Sequence, residues 1–291
     1  MHIRPGGYDD IHAILDAGLS INTRVKPEHM LVAEDDNGEL AGFAYCFLSG
    51  LHHSRYWATI RVCDGQRGKG LGTELLKALG QSRDEDRPFF AKLREDNPAL
   101  GWVRAMGGVP YQVCPPMRLD LTDAANRLWV GSLPERPVTA RIVPGSDLSD
   151  EQLVTSFYSL YEWVHEDWSP VTSRADVERM FADEVRLDLD RRLSSFAVDG
   201  DDVVAGVFVF RTPSGEPLDV VAETITRDAP DGDAALAACV RATARQAADA
   251  GWGQIAFDGH QDDPHLYPLL QTAPKLDGVP LYLMEYAPPR D

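Results

Sequence analysis

VCDGQRGKGLGTELLKAL (62–79) decides how this chain reads: a β-like end, a basic glycine-dense loop, then a helix-like run. Leu71, Leu75, Leu76 and Leu79 recur at helical spacing and define one apolar face. Before the loop, RYWATIRV (55–62) has the make-up of a strand, and after the helix so does FFAKLRED (89–96). The run 55–96 is therefore a strand–helix–strand crossover, with its two strands expected parallel and the connection right-handed. The loop of such a unit lies at the carboxyl ends of the strands, where ligands bind.

Outward from this unit the chain reads as one plan written twice. In the first half HIRPGG (2–7) is a strand and turn, and a helix pattern covers Tyr8–Ile21. LVAEDDNGELAGFAYCFL (31–48) is a hairpin with Asn37-Gly38 as its two-residue turn. Asn97-Pro98 opens a short helix that ends at Gly107, and 109–121 adds strands. In the second half ARIVPGSD (140–147) echoes HIRPGG, and helix patterns follow over 150–168 and 174–189. SFAVDGDDVVAGVFVF (195–210) matches the hairpin, and DVVAETIT (219–226) precedes a loop and a helix from Ala234. Strand-like GQIAFDGH (253–260) and VPLYLMEY (279–286) close it. The spacing predicts domains at 1–121 and 140–291, joined by a polar, proline-containing linker at 122–139. Each domain is expected to be α/β, a mixed and mostly antiparallel twisted sheet flanked by helices.

The 291 residues carry a net charge of −18, which excludes nucleic acid and anionic membrane as natural partners, since both require phosphate neutralisation. No apolar run reaches the roughly 18 residues that span a bilayer. MHIRPGGYDD lacks the basic-then-apolar order of a secretory signal. Cys46, Cys63, Cys114 and Cys239 are scattered, without a C-x-x-C or a Cys/His cluster in sequence. Reduced thiols, a cytoplasmic location and no metal are the expectations.

In an acidic chain the basic loop Gln66–Thr73 calls for an anion. Glycines bring bare backbone N–H groups close to a ligand, the helix start adds its unpaired donors and positive dipole end, and Arg67 and Lys69 add full charge. A P-loop is excluded because no Gly-Lys-[Ser/Thr] occurs, and the dinucleotide fingerprint fails because the third glycine of G-K-G-L-G comes one residue early. Arg67-Gly68-Lys69-Gly70-Leu71-Gly72 resembles the [Q/R]-x-x-G-x-[G/A] acyl-CoA loop of the GCN5-related N-acetyltransferases (GNAT), and the order of elements around it is similar to that family across the first half and, more weakly, the second. The resemblance implies two tandem acyl-CoA N-acyltransferase (GNAT) domains with acetyl-CoA as acyl donor. Ile60 and Val62 would lie along the pantetheine arm, Arg67, Gly68, Lys69, Gly70, Leu71, Gly72 and Thr73 would wrap the pyrophosphate, and Asn97 would stand near the thioester. Asn97 also suits a helix cap before Pro98.

Acyl transfer to an amine needs proton removal from the nucleophile and a donor for the developing oxyanion. The family's usual base position falls on Tyr56 and its usual acid position on Val103, so the match weakens here. Tyr56, Tyr111 and His53 are the candidates on hand, with a water chain or the second half as other sources of a base. In the second half the loop holds Asp228, Asp231 and Asp233, whose carboxylates would repel a pyrophosphate. That half is expected to be degenerate and to serve as structural support, a homodimer contact or a wall of the substrate pocket. Glu162, His165 and Glu166, beside aromatic residues in FYSLYEWVHEDWSP (157–170), would suit a cationic amine. The expected acceptor is a small cationic metabolite or an antibiotic. Protein N-terminal or lysine acetylation, and a non-catalytic CoA-binding scaffold, stand as alternatives.

Overall fold

Phe43, Tyr45 and Phe47 alternate along the chain with Gly42, Ala44 and Cys46, so one strand turns a large apolar set to one side and a small set to the other. The computed structural model, which describes residues 1–21 and 29–288, makes this run strand β3 (Leu40–Leu48). On the large side, Phe43 and Tyr45 pack with Ile14 of helix α1 (Tyr8–Asp16) and with Met30 and Val32 of β2 (Met30–Glu34). Helix α2 (Leu71–Gln81) packs against β3 and against β4 (Tyr56–Val62), with Leu71, Leu75, Leu76 and Leu79 buried as the periodicity predicts. Burial of each leucine contributes about 2 kcal/mol before entropy costs.

Two units divide the chain, Met1–Tyr111 with Leu283–Asp291, and Gln112–Tyr282. The first unit is built on a seven-stranded sheet in the order β1 (His2–Pro5), β2, β3, β4, β5 (Phe89–Arg94), β13 (Leu281–Tyr286), β6 (Val109–Cys114). β1 to β4 pair antiparallel, and β4 pairs parallel with β5, as a crossover through α2 requires. Asn97 Oδ1 accepts from Ala99 N at 2.9 Å and caps α3 (Ala99–Ala105), as its place before Pro98 predicts.

The second unit's six-stranded sheet runs β7 (Arg118–Asp120), β12 (Gln254–Asp258), β11 (Leu218–Thr224), β10 (Asp202–Phe210), β9 (Ser195–Asp199), β8 (Arg141–Pro144). Its parallel pair is β11 with β12, joined through α7 (Gly232–Asp249). Helices α5 (Asp150–His165), α6 (Arg174–Leu187) and α8 (Leu266–Gln271) also belong to the unit.

Four expectations need correction. The boundary is not at 121, because β7 from the first half joins the second sheet and β13 from the second half joins the first. The stretch 122–139 is not simply a linker. Its residues Ala124–Ser132 form α4, capped by Asp123 Oδ1 accepting from Ala125 N at 2.7 Å, and Trp129 and Val130 are buried in the second unit's core. α1 stops at Asp16, five residues short of the expected end, with Gly18 left-handed just beyond. The hairpin turn spans Asp35–Glu39 and not two residues, since Asp35 Oδ1 accepts from both Asn37 N and Glu39 N.

Candidate functional site

The loop between β4 and α2 is built on left-handed backbone. Gly68 has φ +75° and Gly70, the N-cap of α2, has φ +88°, and a Cβ built at either would point into open space. Only glycine adopts this geometry at low cost, and both residues leave their peptide groups uncovered. No side chain caps the helix, so its first N–H groups and positive dipole end face outward. A short helical turn at Asp64–Gln66 sets the approach, closed by Arg67 N donating to Asp64 O at 3.3 Å. Arg67 Nε donates to Val62 O at 3.1 Å, and the same guanidinium pairs with Asp64 at 2.9 Å. Its side chain is still 64% exposed, with five donors to share. Lys69 Nζ donates to Gln66 Oε1 at 3.0 Å, also at the surface. Leu71 is buried in the helix core and contributes backbone only, while Gly72 and Thr73 are half-buried, with Thr73 Oγ1 near Met106 Sδ at 3.8 Å.

β4 and β5 are paired at only two positions, Tyr56↔Phe89 and Trp57↔Phe90. β4 then continues to Val62, so the edge carrying half-buried Ile60 and Val62 parts from β5 and opens a wedge toward the loop. Half-buried Asn97 follows β5 on the other side of that opening. An extended group lying on the β4 edge with an anionic end on the loop fits these features: a strand edge beyond the β4/β5 ladder, an uncapped helix, left-handed glycines, two cations.

The proton-handling candidates fare differently. Tyr56 is 5% exposed and packs edge-on against Phe89 with ring centroids 6.4 Å apart, at the end of β4 about 20 Å from Val62 at strand rise. It belongs to the core. Tyr111 ends a run of aromatic contacts through Phe47, Trp57 and Phe90, and the Arg55 guanidinium sits 3.9 Å over its ring. Arg55 Nε in turn donates to Glu285 of β13 at 2.5 Å. His53 is exposed before β4, and its carbonyl accepts from Arg87. Val103, at the family's acid position, is buried. Burial pushes the Cys46 thiol up to about 11 and raises that of Cys63, so neither is poised as a nucleophile.

In the second unit the candidate acceptor residues separate. Glu162 accepts from Tyr158 Oη at 2.7 Å, and Glu166, with Asp167, pairs with Arg227 at 3.5 and 2.9 Å. His165 is buried, donates from Nδ1 to Tyr161 O at 2.8 Å and stacks on the Tyr161 ring at 3.9 Å. It gathers with Trp168 and His260, a grouping the sequence does not announce because His260 is remote in the chain.

The second unit's loop is also arranged differently. Its helix cap is Asp231, left-handed at φ +56° and the one non-glycine with positive φ among the described residues. Its Oδ2 accepts from Val138 N at 2.9 Å. A Cβ on the next residue, Gly232, would meet Thr224 Cγ2 at 2.9 Å and His265 Nε2 at 3.3 Å. Glu223, 1% exposed, accepts from Thr224 N, Leu266 N and His265 Nδ1 at 2.8, 3.0 and 2.8 Å, and this last bond raises the His265 pKa against the opposing effect of burial. Here the strands stay paired at four positions, Leu218↔Ile255 to Val221↔Asp258.

Residues 26–107 match the family profile of the acetyltransferase (GNAT) domain. A mycothiol acetyltransferase from Actinosynnema mirum is 28% identical over 206 residues, 68% of this chain, and the match spans 65% of that protein's length. A tandem GNAT protein of the clavulanic acid biosynthesis pathway superposes with a TM-score of 0.58 at 15% identity, covering 97% of this chain and 94% of its own. A GCN5-related N-acetyltransferase from Sphaerobacter thermophilus gives 0.57 at 16% identity, covering 90% and 82%. Residues 26–107 thus match a GNAT acetyltransferase domain, and the fold is that of tandem GNAT proteins.

Proposed function

We propose that the protein is an acetyl-CoA-dependent N-acetyltransferase whose first unit holds the cofactor and whose acceptor is the primary amine of a small cationic metabolite or antibiotic. The observation that carries this reading is the left-handed Gly68–Gly70 turn at an uncapped helix, with Arg67 and Lys69 at the surface, at the mouth of the β4/β5 wedge. Acetyl-CoA supplies a thioester whose carbonyl carbon an amine can attack. Arg67, Lys69 and the backbone N–H groups of 68–72 would hold and neutralise the pyrophosphate, the β4 edge at Ile60–Val62 would align the pantetheine arm, and Asn97 would stand near its far end. This chain supplies positioning first, which accounts for several kcal/mol of barrier lowering by itself. With Tyr56 in the core and Tyr111 under Arg55, neither tyrosine is placed as the base, and a water chain would take the proton from the amine.

The relative named for mycothiol supports a small-molecule acceptor and places such thiol precursors in the first test panel alongside aminoglycoside-type amines and a lysine peptide. The test is release of free CoA when protein, acetyl-CoA and each amine are mixed. Release dependent on one class of small amine is expected. Acetyl-CoA binding without release for any acceptor would leave a CoA-binding scaffold, and release with the peptide alone would point to protein acetylation.

A further inference from the structure

We propose that Cys114, Asp258 and His260, in the second unit, bind a divalent transition-metal ion, zinc by the softness of the donors. The Cys114 Sγ, an Asp258 carboxylate oxygen and a His260 ring nitrogen all lie within 4.8 Å of one another. The fold assembles them from distant sequence. Asp258 ends β12, His260 follows two residues on, and Gln261 N donates to Val113 O at 2.9 Å while Phe257 N donates to Met117 O at 3.1 Å. These bonds lay the 113–117 backbone along 257–261 and place the thiol beside the imidazole.

A second observation points to a ligand. His260 is backed by a buried carboxylate: Asp263 Oδ2 accepts from His260 N at 2.6 Å, and Asp263 Oδ1 lies 3.3 Å from His260 Nδ1. With Nδ1 donating to Asp263, Nε2 would be the ligating nitrogen, the carboxylate–histidine–metal arrangement that second shells supply. Trp168 and His165 hold the ring from the side, with centroids 4.8 and 5.5 Å away. Thiolate, imidazole and carboxylate form a mixed S/N/O set that suits tetrahedral zinc, and two negative donors balance a divalent charge. Metal–ligand bonds of about 2.0–2.3 Å set ligand separations at about 3.5 Å, so binding draws the three side chains inward. Asp258 is exposed and has room to make that rotation, while His260 is already fixed. Three protein ligands leave a fourth position for water or a further ligand. The expectation of no metal, drawn from the absence of a Cys/His cluster in the sequence, is set aside on this geometry.

The test is titration of the metal-stripped full chain with Co²⁺. One equivalent is expected to give a thiolate-to-cobalt charge-transfer band that Zn²⁺ abolishes. Cys114→Ser should lose the band and Cys63→Ser should keep it. His260→Ala and Asp263→Asn should each weaken Co²⁺ binding by about tenfold or more. Absence of the band in the unmutated protein, or its survival in Cys114→Ser, overturns the proposal. A readout free of folding defects uses the unmutated protein alone. Zn²⁺ should slow alkylation of Cys114, followed by peptide mass spectrometry, while leaving Cys63 unchanged, and equal rates at Cys114 with and without Zn²⁺ overturn the site.

Discussion

In the loop after β4, two glycines take up left-handed backbone and the cations stand in solvent. In the loop after β11, an aspartate takes up the left-handed position and accepts from Val138 N, and Arg227 pairs with Glu166 and Asp167. Over residues 62–73, Arg67 and Lys69 against Asp64 leave +1, and over 224–235, Arg227 against Asp228, Asp231 and Asp233 leaves −2. The β4/β5 pair is joined at two positions and the β11/β12 pair at four. One plan therefore yields, in one unit, a β4/β5 pair that ends early beside an exposed basic loop. In the other it yields a closed seam, where the Glu223–His265 pair and Thr224 fill the space before the helix. The lesson is that a helix N-terminus keeps room for an anion only when no side chain caps it, its backbone stays uncovered and its neighbouring cations stay at the surface.

Gly70→Val attacks the open loop most severely. A β-branched residue at φ +88° costs about 1–3 kcal/mol and covers the peptide group at the helix start. Acetyl-CoA affinity should fall about 100-fold in a calorimetric titration. Arg67→Ala removes one charge-assisted contact and should weaken binding about tenfold, with Lys69→Ala adding to it. Those losses should shrink at high salt, because both side chains are exposed. Asp231→Ala, by contrast, should leave acetyl-CoA affinity unchanged within about twofold, while lowering the melting temperature through loss of the Val138 bond.

The smallest effect concerns pH. Hydrogen bonding to Glu223 raises the folded-state pKa of His265, so the folded protein holds the proton more tightly than the unfolded chain. Its stabilising contribution is complete below about pH 6.5, the unfolded value, and is lost as pH rises through the higher folded value. His265→Gln should therefore flatten the dependence of melting temperature on pH across that window. An unchanged slope would show that the pair does not distinguish the second loop in this way.

Much of this architecture is legible from residues alone. The leucine spacing of α2, the alternation in β3, the asparagine before Pro98 and the basic loop each depend on neighbours close in sequence, where periodicity and capping chemistry act. Three features were hidden for a physical reason. VPLYLMEY (279–286) says strand, but nothing local selects which sheet it joins, and it enters the first unit as β13. The left-handed cap falls on Asp231 and not on the adjacent Gly232, and the Val138 N–H bonds the side chain of this residue in a conformation usually left to glycine. Cys114 and His260 meet only through tertiary hydrogen bonds at Val113 and Met117. The missing base follows the same logic, since Tyr56 lies on a strand face that packs on Phe89.

The stoichiometry of acetyl-CoA binding to the full chain tests the central comparison most directly. One site per chain is expected, weakened by Arg67→Ala and indifferent to Asp231→Ala. Two sites of similar affinity, or equal losses from the two substitutions, would contradict the assignment of the cofactor to the first unit.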